Sequence, residues 1–180
     1  PMSERALICS IQVEMKQQFE NGSRYLLVTP GNYGAAYLKE HMDLPFETSV
    51  KCSNYVGETV DMAVDMGVEG ILFVAHIGKF VKVAGGIMNT HSRCADARAE
   101  LMAANALRAG ASAETACRIL KTVTTDEALA ILKEAGCLEG TIREITDRIS
   151  ASLKHRSYGR ILTGAVIFSN EYGYLGKTEE

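Results

Sequence analysis

The sequence predicts an α/β fold: a mainly parallel sheet with helices on both faces, a Rossmann-like three-layer architecture. Three observations carry this. Short apolar runs around Leu26, Ile71 and Val166 are continuous rather than alternating, the pattern of strands buried on both faces. Between them lie stretches with helical apolar spacing, and strands alternating with helices argue for parallel pairing through crossovers. The runs also stop abruptly in glycine and polar residues, as strands do at the ligand-binding edge of an open α/β sheet.

Taken in order, Leu7, Ile8, Ile11, Met15 and Phe19 repeat at helical spacing, with Ser3 placed as the N-cap and Asn21-Gly22 as the stop. Arg24 to Thr29 is the first strand, ended by Pro30-Gly31, and Gly34 to His41 reads as a helix. Asp43 to Lys51 is a connector into a weak strand around Ser49 to Cys52, and Gly57 to Met66 is helical, stopped by Gly67. The run from Gly70 to Ala75 is the strongest strand. The Ala-rich stretch from Ala95 to Arg108 is a helix stopped by Gly110, and Ala113 to Leu120, Thr125 to Ala135 and Thr141 to Leu153 are further helices. Arg160 to Phe168 is the last buried strand. Residues 1–171 are expected to form one α/β domain, with 172–180 as a loose polar tail.

Composition excludes several classes. The 180 residues are 47% apolar and 23% charged, as in ordinary globular domains, and they suffice for a core without staples. With 22 acids against 19 bases the net charge is -3, so no basic face points to nucleic acid. No apolar run approaches the roughly 20 residues of a membrane span. Five scattered cysteines, an odd number, suggest reduced thiols and a cytoplasmic setting, and no secretory leader is read at the start. His41, His76, His91 and His155 show no metal-ligand spacing, so no metal is expected. There is no Gly-x-Ser-x-Gly elbow.

Three polar clusters follow strands. Thr29-Pro30-Gly31-Asn32-Tyr33-Gly34 turns from the first strand into a helix. Its glycines permit close approach of a ligand, and the following helix would offer free amides, although a plain strand-to-helix turn would look the same. Lys51-Cys52-Ser53-Asn54, with Glu58 beyond it, is placed beside the first loop. Asn54 or Glu58 could take ribose hydroxyls there; a helix cap by Ser53 or Asn54 is the competing reading. The richest stretch runs from Val74 to Arg98. In it Lys79, Lys82, Arg93 and Arg98 suit carboxylates, Asn89, Thr90 and Ser92 add neutral hydrogen bonds, and His76 and His91 are candidate proton carriers. Asp96 reads as an arginine partner rather than a catalytic acid.

Taken together, the opening Pro1-Met2-Ser3-Glu4, the Thr29 to Gly34 turn, Lys51 to Asn54, Gly57-Glu58-Thr59 with Asp61, His76 to Lys79 and Gly85 to Asp96 resemble one family. It is the cobalt-precorrin-5B C-1-methyltransferases of anaerobic cobalamin biosynthesis. The resemblance covers most of the first hundred residues and is general after Gly110. Ala75 departs from it, because the family commonly has glycine before the histidine. The resemblance implies methyl transfer from S-adenosylmethionine to carbon 1 of a cobalt-containing, ring-contracted tetrapyrrole. It assigns Thr29, Gly31, Asn32, Gly34, Asn54 and Glu58 to the cofactor. Lys79, Lys82, Asn89, Thr90 and Arg93 go to the substrate, with His76 and His91 tuning ring protonation. Cobalt would arrive with the substrate. The family's usual chain is longer, so this one looks like a carboxyl-terminal domain. It would be a homo-oligomer or meet an amino-terminal domain. The competing function is a non-catalytic α/β module that needs such a partner.

Overall fold

The computed structural model describes residues 3–41 and 49–179. Five strands form one sheet: β1 (Tyr25–Thr29), β2 (Val50–Lys51), β3 (Gly70–His76), β4 (Leu162–Ser169) and β5 (Gly173–Lys177). Their order is β2-β1-β3-β4-β5; the first four run parallel and β5 is antiparallel to β4. The chain leaves β1 toward one edge and returns to the other side of β1 as β3. The switch of direction therefore falls between β1 and β3, where open α/β sheets form their binding crevice.

The alternation of side chains divides the sheet into two unequal faces. Ile71, Phe73 and Ala75 of β3 enter the main core with Leu26 and Val28 of β1. Four helices cover that face: α1 (Glu4–Glu20), α3 (Val56–Met66), α4 (Ile77–Ala84) and α8 (Leu138–Ser157). Beyond them α5 (Arg98–Arg108), α6 (Ala113–Leu120) and α7 (Thr125–Glu134) pack on one another and on α8. The opposite face carries a smaller cluster of Val74, Val166, Phe168 and Tyr37. Tyr37 belongs to α2 (Asn32–His41) and stacks on Phe168 at 4.2 Å between ring centroids, 9° from parallel. Helices thus lie on both faces, as expected. The connector residues 42–48 lie outside the described set.

The predicted caps are present. Ser3, Ser112 and Thr124 accept from the amides of Ala6, Thr115 and Glu127, satisfying donors that the first helical turn leaves free. Two elements differ from expectation. Residues 173–177 are a strand, not part of a loose tail: Gly173 turns the chain at φ 66°, and Thr178 fastens the end, its Oγ1 accepting from Ala165 N at 3.0 Å. The polar composition concealed this because the open side of β4 supplies the hydrogen-bonding partners. The second difference is α4, in a stretch read only as a polar loop. Ile77, Phe80, Val81 and Ala84 are buried at helical spacing, yet Gly78, Lys79 and Lys82 between them disguise it.

The Gly57-Glu58-Thr59-Val60-Asp61 stretch joins two helices. Arg156 of α8 donates to both carboxylate oxygens of Asp61 at 2.8 Å each. A Cβ on Gly57 would stand 2.8 Å from both Arg156 Cζ and Met88 Cβ, so only glycine lets the guanidinium lie across α3. Because this bidentate pair is half-exposed, Asp61→Asn is expected to cost about 1 kcal/mol, or about 2–4 °C in Tm. Thermal melts of the two proteins check it, and an unchanged Tm would leave the pair without a stabilising role.

Candidate functional site

A cleft of about 540 Å³ opens at the carboxyl ends of β1 and β3. That size falls within the roughly 300–1,000 Å³ of small-molecule sites. Each wall comes from a different element. Pro30 and Gly31 end β1, His76 ends β3, and Gly78, Lys79 and Lys82 follow on α4. Asn54, Thr90, His91 and Ser92 form a second wall, and Arg98 and Thr125 come from the starts of α5 and α7.

The second wall is held by paired contacts. Thr90 N donates to Asn54 O at 3.1 Å, and Thr90 Oγ1 donates to Asn54 Oδ1 at 2.9 Å. One residue earlier Asn89 bridges to Tyr55, and its Oδ1 accepts from His91 N at 3.0 Å. This draws the loop after α4 onto the loop after β2, 36 residues away in sequence. Asn54 is therefore neither a free ribose ligand nor a helix cap; its side chain holds Thr90.

The cations differ in burial. Lys82 is only 3% exposed, and its Nζ donates to Thr90 O at 3.0 Å. Burial pushes its pKa down; the Asp96 carboxylate acts the other way. Lys79 is half-buried, and burial lowers its pKa as well. Arg98 makes a two-pronged contact with Asp96, at 2.9 and 3.3 Å, and that contact holds the Asp96 carboxyl below its usual range. Asp96 is thus the arginine partner that the sequence suggested. Among the described residues lining the cleft there are three cations and no Asp or Glu. The cleft is positive on a chain whose net charge is -3.

Both imidazoles are held by their Nδ1 atoms. His76 is the N-cap of α4, its Nδ1 accepting from Gly78 N at 3.0 Å. His91 Nδ1 accepts from Arg93 N at 3.0 Å. Burial lowers the pKa of His76, with the nearby Asp126 carboxylate acting against it.

The remaining candidates are spread more widely. Gly31 lies at the rim with φ 84°, and a Cβ there would come within 3.2 Å of Lys79 Nζ. Thr29 is fully buried, and its Oγ1 has no hydrogen-bond partner among the described residues. Asn32 is the exposed first residue of α2. Gly34 does not face the cleft: a Cβ would stand 2.6 Å from Val74 O, so this glycine serves the packing of α2 on β3. Glu58 is half-buried in the first turn of α3, outside the lining. Arg93 is exposed and also outside it, while Arg98, five residues on, is inside.

Sequence reasoning missed the start of α7. Thr125 lines the cleft, and the Asp126 carboxylate lies close enough to His76 to act on its proton affinity. Asp126 Oδ1 is buried with no hydrogen-bond partner among the described residues. The cap at Thr124 was visible as a helix start, but its position beside β3 depends on how the helical block folds back.

The fold and site define a doubly wound α/β domain with an anion-binding cleft at its switch point. Comparison with known proteins sharpens that class. Residues 89–179 match the family described as CbiD, C-terminal domain. The cobalt-precorrin-5B C(1)-methyltransferase of Ruminiclostridium cellulolyticum is 42% identical over 170 residues, covering 94% of this chain and 44% of that one. The enzyme of the same name from Alkaliphilus metalliredigens is 38% identical over 175 residues, covering 97% and 46%. The one from Methanocaldococcus jannaschii is 36% identical over 159 residues, covering 88% and 44%. No solved structure matches. The chain belongs to the CbiD family, and it spans about half the length of the curated relatives it matches.

Proposed function

We propose that this chain supplies the carboxylate-binding site of an enzyme that methylates carbon 1 of cobalt-precorrin-5B with S-adenosylmethionine, in the biosynthesis of cobalamin. The observation that carries the site assignment is Lys82: an ammonium only 3% exposed, with one carbonyl partner at 3.0 Å, in the wall of a cleft that also holds Lys79 and Arg98. A buried cation is costly unless paired, and acetate and propionate side chains would pair it. The volume suits several such side chains entering together while the macrocycle rests across the mouth. The relatives' names supply the reaction and substrate.

S-adenosylmethionine fits this lining at one end only. Its carboxylate matches Lys79, but its sulfonium and ammonium meet no acidic side chain among the described lining residues. The Gly31–Asn32 turn, at the rim and beside the start of α2, is the group left for the donor. When bound, the donor supplies an electrophilic methyl group. This chain's residues hold the acceptor's acids so that the ring carbon is presented in one orientation, which is catalysis by positioning.

The same geometry favours a second reading, in which this domain binds but does not act alone. Both cleft imidazoles spend their Nδ1 lone pairs on backbone amides, and no nucleophile stands among the cations. Two measurements separate the readings. Uroporphyrin I, a tetrapyrrole bearing acetate and propionate groups, should quench on titration with the chain, and Lys79→Met should weaken that binding about tenfold. Absence of binding overturns the site. Methyl transfer from labelled donor to cobalt-precorrin-5B by this chain alone would favour the complete enzyme; transfer only with a full-length relative's other half would favour the module.

A further inference from the structure

The two histidines of the cleft would ordinarily be assigned to proton transfer. Their geometry argues otherwise, most strongly for His76. An amide N–H can only donate, so the 3.0 Å contact from Gly78 N requires a lone pair on His76 Nδ1. The neutral ring then carries its proton on Nε2 and has no second lone pair to accept another.

Protonation at Nδ1 would have three costs. It would break the N-cap of α4 and leave the Gly78 amide facing a donor. It would place a positive charge at a helix amino end, where the macrodipole is already positive. It would also charge a ring that is largely shielded from water, packed edge-on to Phe168 of β4 at 5.7 Å and 85°. Lys79 from α4, with Lys82 and Arg98 across the cleft, adds like charge to the same space. Asp126 of α7 opposes these effects, yet the balance still lies below the ordinary histidine value. That carboxylate has an oxygen with no hydrogen-bond partner, so it acts through its charge.

We infer that His76 works as a neutral hydrogen-bond donor, offering Nε2–H to an anionic oxygen of the ligand, with the Gly78 amide as its positioning partner. This rests on the carboxylate reading of the cleft for the identity of the ligand oxygen, but not for the state of the ring. His76 therefore takes no proton from the substrate. It contributes direction, since the cap fixes the ring plane and so aims Nε2–H.

The sign of the pH effect follows. A histidine whose folded pKa is depressed adds stability that is complete above the unfolded value of about 6.5, and that fades as pH falls toward the folded value. His76→Asn should remove this acid-side loss. Asparagine is itself a strong N-cap, so the variant keeps an acceptor for Gly78 N–H while losing the ring donor.

The test uses the full chain labelled with nitrogen-15. Long-range correlation spectra at pH 7.5 should show His76 with Nε2 protonated and Nδ1 bare, titrating with a midpoint below 6.5. A proton on Nδ1, or a midpoint above that value, overturns the inference. Added uroporphyrin I should shift the Nε2 resonance, and His76→Asn should weaken uroporphyrin binding about tenfold while the helix stays capped. Wild-type affinity in a folded His76→Asn protein, or an Nε2 resonance unmoved by ligand, reduces the ring to a cap and overturns the donor role. Should the wild-type chain fail to bind uroporphyrin, the carboxylate cleft falls and the donor role with it; the nitrogen spectra then still decide the locked ring by themselves.

Discussion

Lys82→Met is expected to make the protein more stable while removing most of its affinity for a tetrapyrrole polycarboxylate. Lys82 is 3% exposed and its described partner is one carbonyl, that of Thr90 at 3.0 Å. Burying an ammonium costs several kcal/mol even after relaxation, whereas one hydrogen bond returns about 1 kcal/mol. Methionine keeps the stem and its contacts with α4 neighbours. The net gain at pH 7 should be about 1 kcal/mol, or about 2–4 °C in Tm for a chain of this size. The pH dependence has a definite sign. Because the folded pKa of Lys82 is depressed, its share of stability is complete only above the unfolded value of about 10.4, and is lost as pH falls through the folded value. The advantage of methionine is therefore largest at neutral pH and shrinks as pH rises through the alkaline range. Binding should respond in the opposite sense. A charge-assisted hydrogen bond contributes about 1.5–3 kcal/mol, so uroporphyrin I affinity should fall about tenfold to a hundredfold. Paired melts and titrations check both halves. A lower Tm with unchanged affinity would make Lys82 a structural lysine and remove the main support for the cleft.

Such a trade between stability and binding could be anticipated from the sequence only in part, and the reasons are physical. Strands β1, β3 and β4 were legible because burial on both faces writes a continuous apolar run. The crevice followed from them: Gly31 and Lys79 sit on neighbouring strand ends, and Asn54 was expected nearby. Strand β5 was not legible, because Gly173-Tyr174-Leu175-Gly176-Lys177 has no pattern of its own and pairs through the free edge of β4. Helix α4 was written in the spacing of Ile77, Phe80, Val81 and Ala84, and its glycine and lysines outweighed that signal. The choice of Arg93 over Arg98 shows another limit. Both are arginines in one short segment, and only the point where the loop turns into α5 decides which one enters the cleft. Thr125 and Asp126 were out of reach entirely, since three helices separate them from β3 in sequence and tertiary folding alone brings them together.

Gly34 makes the sharpest test of motif against packing. The turn Thr29-Pro30-Gly31-Asn32-Tyr33-Gly34 invites the idea that both glycines admit a ligand, but the structure assigns them different tasks. A Cβ at Gly34 would lie 2.6 Å from Val74 O and 3.0 Å from Thr29 Cβ. Neither neighbour can yield easily: one is backbone in the centre of the sheet, the other a fully buried side chain. To relieve the clash α2 would have to lift from β3, and the stacking of Tyr37 on Phe168 would go with it. Overpacking of this kind costs about 1–3 kcal/mol where side chains can adjust, and more against backbone, so Gly34→Ala should lose about 3–4 kcal/mol. That corresponds to a fall in Tm of about 6–16 °C. Gly31→Ala should behave differently. Its cost in stability is nearer 1–2 kcal/mol, from the positive φ of 84°, but its methyl would press on Lys79 Nζ, 3.2 Å away, and so act on binding. The pair of variants therefore separates the two roles, with Gly34→Ala lowering Tm more and Gly31→Ala lowering uroporphyrin affinity more. If Gly34→Ala instead folds with wild-type Tm and loses ligand, the glycine at 34 faces the ligand after all, and the packing of α2 on β3 described above is wrong.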